Sequence, residues 1–307
     1  MKNILVTGGT GFIGKHFVQM LRNSEPHRSS RIIIITDTEV EGYECIRHEN
    51  YSFPAGMLAK NGLDRIDTVY HLGAFIPKDG SEVNDIERSI SNIRSTQNLL
   101  KICTSKLNKF IFASTVDVYG HTSEVINEDS LTKPHSLYGH SKLFCEKMLE
   151  EWSVKNMVLL QVLRLGHIYG PGEDIYQKLI PTTIRKILNA EPVVIWSSGN
   201  EKRSFLYITD ACRMIIKASN LNEYVKPVNI ASSISMSVKE IVKIIVDLSG
   251  LDVKTNIENN AGAVSNDSIF DVSKMNSLLG NEEVELKKGL KLEYDYCKRG
   301  GEYGKKP

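Results

Sequence analysis

The first residues of the chain form a short apolar run that leads directly into a glycine-rich turn. Residues 4–6 are Ile-Leu-Val and residues 7–14 read TGGTGFIG, after which apolar residues continue at helical spacing. A strand, a tight glycine turn and a helix in this order place a phosphate at the positive N-terminus of the helix. There, Gly8 permits the sharp turn, Gly11 leaves room for the phosphate and Gly14 lets the helix pack closely. The segment therefore predicts a dinucleotide site, and a purely structural glycine turn is the alternative.

Apolar or β-branched runs alternate with helical patterns over the first half of the chain. Such an alternation is typical of a parallel sheet with helices on both faces. The predicted fold class is therefore α/β, with a doubly wound parallel sheet of the Rossmann type. The strand-like runs lie at residues 4–6, 32–36, 67–72, 109–113 and 157–165, and the helical patterns at 12–22, 82–106 and 136–152.

The pattern changes after residue 165. We predict a dinucleotide-binding domain over residues 1–165 and a smaller α/β lobe, mainly for the substrate, over residues 166–307. Residues 196–226 are expected to return to the first domain, and a ligand cleft is expected between the two parts. Within the second part, helices are expected at 175–189, 209–219 and 237–249, and short strands at 193–195 and 228–230.

The overall composition argues against several classes of function. Lys and Arg number 38 against 37 Asp and Glu, a net charge of +1, so electrostatics gives no reason to expect binding to nucleic acid or to an anionic membrane. The N-terminus enters a strand at once and no apolar stretch approaches the roughly 20 residues of a membrane span, which predicts neither a signal peptide nor a spanning helix. The five cysteines show no paired motif, which indicates a reducing compartment, the cytoplasm, and no metal site.

An acidic residue, Asp37, directly follows the apolar run at residues 32–36. A carboxylate about 20 residues beyond a dinucleotide-binding glycine turn binds the adenosine ribose hydroxyls of NAD and repels the 2′-phosphate of NADP. Asp37 therefore favours NAD over NADP. The alternative is an ordinary aspartate of a turn.

A tyrosine and a lysine four residues apart form the strongest chemical signal in the chain. Tyr138 and Lys142 would lie one helical turn apart on the same face. The ammonium group, together with the positive charge of an oxidised nicotinamide, would lower the pKa of the phenol and allow it to accept a hydroxyl proton while hydride leaves. A surface helix pair is the alternative. Ser114 and Thr115, at the end of an apolar run, offer a hydroxyl that would complete a hydrogen-bonded triad around the substrate oxygen.

Together these segments resemble the extended short-chain dehydrogenases/reductases, and within them the NAD-dependent epimerase/dehydratase group that acts on nucleotide sugars. The resemblance covers nearly the whole chain and implies a Rossmann-type fold with NAD as the cofactor. Ser95 stands where the group usually has glycine. Besides the glycine turn, the matching segments are residues 67–74, 92–96, 110–120, 138–142, 164–171 and 203–210.

The resemblance also implies roles for individual residues. Thr115 and Tyr138 would contact the sugar hydroxyl, and Lys142 would bind the nicotinamide ribose. Arg203 would hold the diphosphate of the substrate, since a guanidinium group matches phosphate oxygens in a bidentate way. A surface ion pair with Glu201 is the alternative for Arg203. The implied cofactor-binding set is Gly8, Gly11, Phe12, Ile13, Gly14, Asp37, Leu72, Gly73, Ala74, Tyr138 and Lys142.

Some positions depart from the family pattern. His167 stands where family members often have an asparagine that reaches the substrate, so it would either donate a hydrogen bond there or pack within its loop. Dehydratases of the group usually carry two acids after the catalytic Thr. Here Val116 takes the first place and Asp117 the second, which disfavours dehydration. A second arginine is missing from residues 266–271, and we expect His71 to be a core histidine with its hydrogen bonds satisfied.

The leading hypothesis is an NAD-dependent nucleotide-sugar epimerase, acting at C4 through a transient 4-keto sugar with Tyr138 as acid and base. A 4-ketoreductase, a decarboxylase or a dehydratase of the same family is the alternative, followed by a non-catalytic NAD-binding scaffold. We also expect a homodimer formed through the helices at 82–106 and 136–152, which carry a second set of apolar residues. The alternative is that these residues all face the sheet of their own chain.

Overall fold

The computed structural model describes residues 1–25, 27–48, 56–103, 107–120, 124–258 and 266–301. Its strands are β1 (Asn3–Thr7), β2 (Arg31–Thr36), β3 (Glu44–Arg47), β4 (Thr68–His71), β5 (Lys109–Thr115), β6 (Leu159–Leu165), β7 (His167–Tyr169), β8 (Val193–Ile195), β9 (Lys202–Tyr207), β10 (Val228–Ile230), β11 (Ser235–Ser237) and β12 (Thr255–Ile257). Its helices are α1 (Phe12–Asn23), α2 (Met57–Lys60), α3 (Ile86–Ile102), α4 (Leu137–Asn156), α5 (Leu179–Leu188), α6 (Ile208–Ala218), α7 (Val238–Ser249), α8 (Ser273–Leu279) and α9 (Leu286–Lys298).

Seven strands form one parallel sheet in the order β10-β6-β5-β4-β1-β2-β3. From β1, the chain continues outward through β2 and β3 on one side, and β4 begins the other side. This reversal of strand order opens a crevice at the carboxyl ends of β1 and β4, the usual ligand position in an open α/β sheet. The predicted α/β class with a doubly wound parallel sheet is confirmed.

The central strands are apolar on both faces because helices cover both sides of the sheet. In β1, Ile4 and Val6 belong to one buried core and Leu5 to the other. In β2, Ile34 packs on the first side and Ile33 on the second. This double burial explains why these strands appear in the sequence as unbroken apolar runs.

The second half of the chain builds two small sheets, β11-β9-β7 and β12-β8, beside α5, α7 and α9. Two of its elements pack with the first half instead. Helix α6 packs against α1, and β10 pairs in parallel with β6 at the edge of the large sheet. The predicted returning segment, residues 196–226, contains α6, whereas β10 lies just beyond it.

Some predicted bounds differ from the structure. Helix α3 begins later than the predicted 82–106 because the Asp85 side chain accepts a hydrogen bond from the Arg88 backbone N–H (3.0 Å) and caps the helix. Residues 104–106 of that prediction lie outside the described residues. Strand β3 was not predicted, because a four-residue edge strand carries too short a pattern. Within the described residues, no helix is long and apolar enough to span a membrane.

Candidate active site

A cavity of about 740 Å³ lies at the carboxyl ends of the central strands, between the large sheet and the second half of the chain. We call it the cleft. Asp37 is not among the described residues that line it; its side chain lies exposed, directly after β2. The other predicted site residues all line the cleft: Gly8, Gly11, Phe12, Ile13, Gly14, Leu72, Gly73, Ala74, Thr115, Tyr138, Lys142, His167 and Arg203.

The glycine turn has the shape that a phosphate-binding turn requires. Gly8 has a φ of +71°, and a Cβ on it would lie 2.5 Å from the Gly73 backbone nitrogen. A Cβ on Gly14 would lie 1.9 Å from the Gly8 carbonyl oxygen, so Gly14 allows the helix to start against the turn itself. A Cβ on Gly11 would have the Gly8 carbonyl oxygen, at 3.4 Å, as its nearest neighbour. Gly11 is the N-cap residue of α1, and no side chain caps the helix there. The turn therefore fits a dinucleotide pyrophosphate at the N-terminus of α1.

Buried hydrogen bonds anchor the loop after β4 to the glycine turn. The Thr7 hydroxyl oxygen accepts from the Gly73 backbone N–H (3.0 Å) and contacts His71 Nδ1 at 2.7 Å. His71 Nε2 lies 2.9 Å from the Thr96 hydroxyl, which confirms the predicted core histidine. Burial, and then the charge of Lys142, lowers the pKa of His71 to about 3, so its ring is neutral.

Thr115 and Tyr138 meet at the floor of the cleft. Thr115 ends β5, and Tyr138 lies in the first turn of α4, where the Ser136 side chain caps the helix by accepting from the Gly139 N–H (3.1 Å). The Thr115 hydroxyl group lies close enough to the Tyr138 phenol to lower its pKa. Each residue is only 7% exposed. A hydroxyl pair of this kind can bind one substrate oxygen and exchange a proton with it.

Among the groups of the protein itself, burial has the largest effect on the pKa of Tyr138, whereas the predicted lowering also requires the charge of an oxidised nicotinamide. Burial raises this pKa, the charge of Asp117 raises it further, and the nearby Thr115 hydroxyl group lowers it. Lys142 is also buried, and its ammonium group lies 4.3 Å from the centre of the Phe112 ring. Burial dominates at both groups, since it lowers the pKa of Lys142 to about 8 against the opposing effects of Cys145 and Glu146.

Comparison with known proteins agrees with this geometry. A family model described as the NAD dependent epimerase/dehydratase family matches residues 4–231. The chain belongs to this family. It is therefore an NAD-dependent enzyme with a Rossmann-type fold, as the resemblance predicted.

Relatives and solved structures of the family match most of the chain. An uncharacterized UDP-glucose epimerase of Bacillus subtilis is 28% identical, covering 95% of this chain and 97% of the relative. A UDP-glucuronic acid 4-epimerase of Bacillus cereus, solved with UDP-glucuronic acid and NAD, is 28% identical with a TM-score of 0.83, covering 97% and 99% of the two chains. A UDP-glucose 4-epimerase of Thermotoga maritima, solved with UDP-glucose, is 27% identical with a TM-score of 0.85 over the same shares.

Other relatives are longer proteins. The chain spans 62% of a dTDP-D-glucose 4,6-dehydratase of Dictyostelium discoideum and is 28% identical to it, with 81% of this chain covered. It spans 48% of a trifunctional Arabidopsis thaliana protein that includes a UDP-glucose 4,6-dehydratase.

Arg203 of this family member reaches the cleft from β9. Its guanidinium group donates to the backbone carbonyls of Lys202 (2.9 Å) and Asn266 (2.5 Å). Burial lowers its pKa, while the charges of Glu201 and Asp267 act in the opposite direction. The two carbonyls fix the guanidinium group at the cleft, where a phosphate can meet its remaining N–H groups.

His167 lies on β7, where many members of the family have asparagine. Its ring packs against Phe205, with 5.6 Å between ring centres. Burial, and then the charges of Lys178 and Arg203, lowers its pKa to about 3. Its Nε2 has no hydrogen-bond partner among the described residues, so both predicted interpretations, loop packing and a hydrogen bond to substrate, fit the geometry.

Several cleft residues were not singled out from the sequence. Tyr176, Lys178 and Trp196 line the cleft from connections in the second half of the chain. Lys178 lies 3.5 Å from the Glu173 carboxylate, and Trp196 is 56% exposed. Tyr176 and Lys178 fall within the helix predicted at 175–189, which begins only at Leu179, and Trp196 follows the strand predicted at 193–195. No sequence pattern pointed to them, because tertiary packing decides which loop residues face a cleft.

Proposed function

We propose that this protein is an NAD-dependent nucleotide-sugar 4-epimerase. One observation carries the proposal. A single cavity is lined by the glycine turn of α1, the neighbouring hydroxyl groups of Thr115 and Tyr138, Lys142, and Arg203 from the other half of the chain. The turn suits a dinucleotide, the hydroxyl pair suits a sugar hydroxyl, and the guanidinium group suits a diphosphate.

The proposed chemistry needs one group that moves a proton at the sugar 4-oxygen. Bound NAD supplies reversible acceptance of a hydride from a sugar carbon. Tyr138 takes the hydroxyl proton as the hydride leaves and gives it back once the keto sugar has turned in the cleft. Thr115 orients the same oxygen. Lys142, with a pKa of about 8, is charged at neutral pH and favours the phenolate form that accepts the proton.

Asp117 favours a second candidate, a nucleotide-sugar dehydratase. Its carboxylate lies at the cleft and raises the pKa of Tyr138, so it is near the reacting hydroxyl group. The preceding residue is Val116, so an acid that would protonate a departing 6-hydroxyl is missing from that position. We therefore rank dehydration below epimerisation.

Product analysis tests the proposal. The purified protein is incubated with UDP-glucose, UDP-N-acetylglucosamine or UDP-glucuronic acid, each deuterated at C4, and the products are identified by NMR. We expect the 4-epimer of at least one of them, with the deuterium retained and no added cofactor. A 4-keto-6-deoxy product would support the dehydratase, and turnover only with added NADPH would support a ketoreductase. An enzyme that binds NAD and converts no sugar nucleotide would support the scaffold.

Other properties are proposed with this function. We propose that residues 1–165 bind the cofactor and that most of residues 166–307 bind the substrate, with α6 and β10 packed on the first part. We propose a homodimer formed through α3 and α4. We also propose the cytoplasm as its compartment, which the free state of Cys45, Cys103, Cys145, Cys212 and Cys297 supports.

A further inference from the structure

A buried ion pair lies behind the floor of the cleft, between α4 and the large sheet. Glu146 is 0% exposed and accepts from Arg164 through Nε (3.1 Å) and Nη2 (2.8 Å). The Ser114 hydroxyl group donates to the same carboxylate at 2.5 Å. Glu146 and Arg164 are not among the described residues that line the cleft, whereas Ser114 is. The carboxylate therefore joins α4, β5 and β6 beneath the site.

The pair extends into a wider buried network. Arg164 Nη1 donates to the Tyr119 hydroxyl oxygen (2.8 Å), and that hydroxyl donates to the Asn229 side-chain oxygen (2.7 Å) on β10. Burial lowers the pKa of Arg164, but the hydrogen bonds and the charge of Glu146 outweigh this effect and raise the pKa of Arg164 above its ordinary value. A buried ion pair adds little stability over well-packed apolar residues of the same volume. Stability alone therefore does not account for this network.

Its position relative to the reacting groups points to a role in geometry. Glu146 lies one turn after Lys142 and two turns after Tyr138, on the same face of α4. Its partner Ser114 directly precedes Thr115 on β5. We propose that Glu146 is a positioning residue, whose carboxylate fixes the Thr115 end of β5 against the helix face that carries Tyr138 and Lys142. This rests on the proposed function for the roles of those three residues.

The charge of Glu146 has a second consequence. It opposes the lowering of the Lys142 pKa by burial, as does the neighbouring Cys145. Among the described residues, His71 on β4 also interacts with Lys142, and its ring is neutral, while Tyr138 lies one turn before Lys142 on the same helix. Removing the charge of Glu146 therefore moves the loss of the Lys142 proton to lower pH.

Glu146→Gln tests the proposal, with Glu150→Gln as the matched control. Glu150 lies one turn further along α4 and binds Tyr224 (2.7 Å) and Lys147 (2.8 Å), not β5. In Glu146→Gln we expect the rate of NAD reduction by a sugar nucleotide to fall about a hundredfold, the cost of a small misplacement, with a nearly unchanged KM. The pH midpoint of NAD affinity, measured by titration without sugar, should move to lower pH. The control should match the wild type in both measurements.

A second variant keeps the proposal testable if Glu146→Gln does not fold. Ser114→Ala leaves the ion pair intact and removes only its link to β5, so we expect slower NAD reduction with unchanged NAD affinity. If folded Glu146→Gln or Ser114→Ala reduces NAD at the wild-type rate, the proposal is wrong. Lower melting temperatures with wild-type rates would likewise show a purely structural role. If none of the sugar nucleotides reduces NAD in the wild type, the proposed function fails. An unshifted NAD midpoint in Glu146→Gln would then overturn the positioning role separately.

Discussion

At the scale of single residues, proton transfer in the proposed reaction depends on one phenol. Tyr138→Phe removes one oxygen and leaves the ring in its buried position, so the fold and the NAD affinity should be retained. We expect the epimerisation rate to fall by about a thousandfold, since the general acid and base is lost. Rates of epimer formation, thermal unfolding and NAD titration check the three expectations. Near-wild-type turnover in a folded variant would remove Tyr138 from the assigned role.

We propose that the choice between NAD and NADP also depends on one residue. Asp37 lies exposed after β2, at the carboxyl end of the strand beside β1. Its carboxylate would face the 2′-phosphate of NADP as a like charge, so the wild type should prefer NAD by about tenfold or more. Asp37→Ser, alone or with Thr38→Arg, should narrow or reverse that preference. The check is titration of both cofactors into the apoprotein.

Glu41→Ser is the control for this experiment, because it removes another exposed acid four residues further along. It should leave the preference unchanged. Equal affinity of the wild type for NADH and NADPH would show that Asp37 has no part in selecting the cofactor, and it would favour the ketoreductase.

At the scale of secondary-structure elements, what could be predicted followed from local pattern. The sequence predicted β1 and β2 as apolar runs, because helices bury both faces of these strands. It predicted the glycine turn, Thr115 and Tyr138 from motifs within single elements. It did not predict β3, where Ile46 is the one buried residue of four. It also did not predict that Lys178 lines the cleft, because tertiary contacts decide where the residues of this loop lie.

Helix α9 contains a buried carboxyl group that makes the stability of the fold depend on pH. Glu293 on α9 is 1% exposed, and its two carboxylate oxygens have no hydrogen-bond partner among the described residues. Burial raises its pKa well above the ordinary 4.5, and the charges of Glu173 and Asp174 raise it further. Burial likewise raises the pKa of Glu173 to about 7, against the effect of Lys178. The folded chain therefore keeps protons that the unfolded chain has already lost.

The raised pKa values of Glu293 and Glu173 determine whether the fold gains or loses stability as the pH rises. The free energy of unfolding should fall as the pH rises from about 4.5 through neutral values, because the unfolded chain binds fewer protons there. Glu293→Gln should weaken that dependence and raise the free energy of unfolding above pH 7 by about 1–3 kcal/mol. Below pH 4 the variant and the wild type should converge. Denaturant titrations at several pH values measure the difference.

The matched control is Asp295→Asn on the same helix, whose carboxylate is partly exposed and paired with Lys291 (2.6 Å). It should leave the pH dependence as it is in the wild type. A Glu293→Gln variant that is less stable than the wild type at pH 8 would show that Glu293 is not held protonated at a cost.

At the scale of the whole molecule, the cleft joins groups that are distant in the sequence. The glycine turn comes from the first 14 residues, and Arg203 from β9. The second half of the chain returns to the large sheet through β10, so both sides of the cleft are attached to the same sheet. The sequence predicted a cleft between two parts, but the residues that close it depend on this return. The residues that line the cleft from the second half of the chain are therefore the part of the site that local sequence patterns predicted least well.

We propose that the surface of α3 and α4 forms the interface of the homodimer. These helices pack side by side, and the predicted apolar set divides between two environments. Leu99 and Leu149 are buried in the core of their own chain, whereas Ile86 is 61% and Phe144 55% exposed. An exposed apolar surface on neighbouring helices favours a two-fold interface with the same surface of a second copy.

Phe144→Glu tests this assembly. A carboxylate in place of the exposed ring would be buried unpaired at a two-fold interface, next to its own symmetry copy, so we expect the variant to be monomeric at micromolar concentration. The wild type should have the mass of a dimer by light scattering. Ile257→Glu is the control, since Ile257 is 54% exposed on β12, away from both helices, and should leave the dimer intact. A monomeric wild type, or a dimeric Phe144→Glu variant, would show that α3 and α4 do not form the interface.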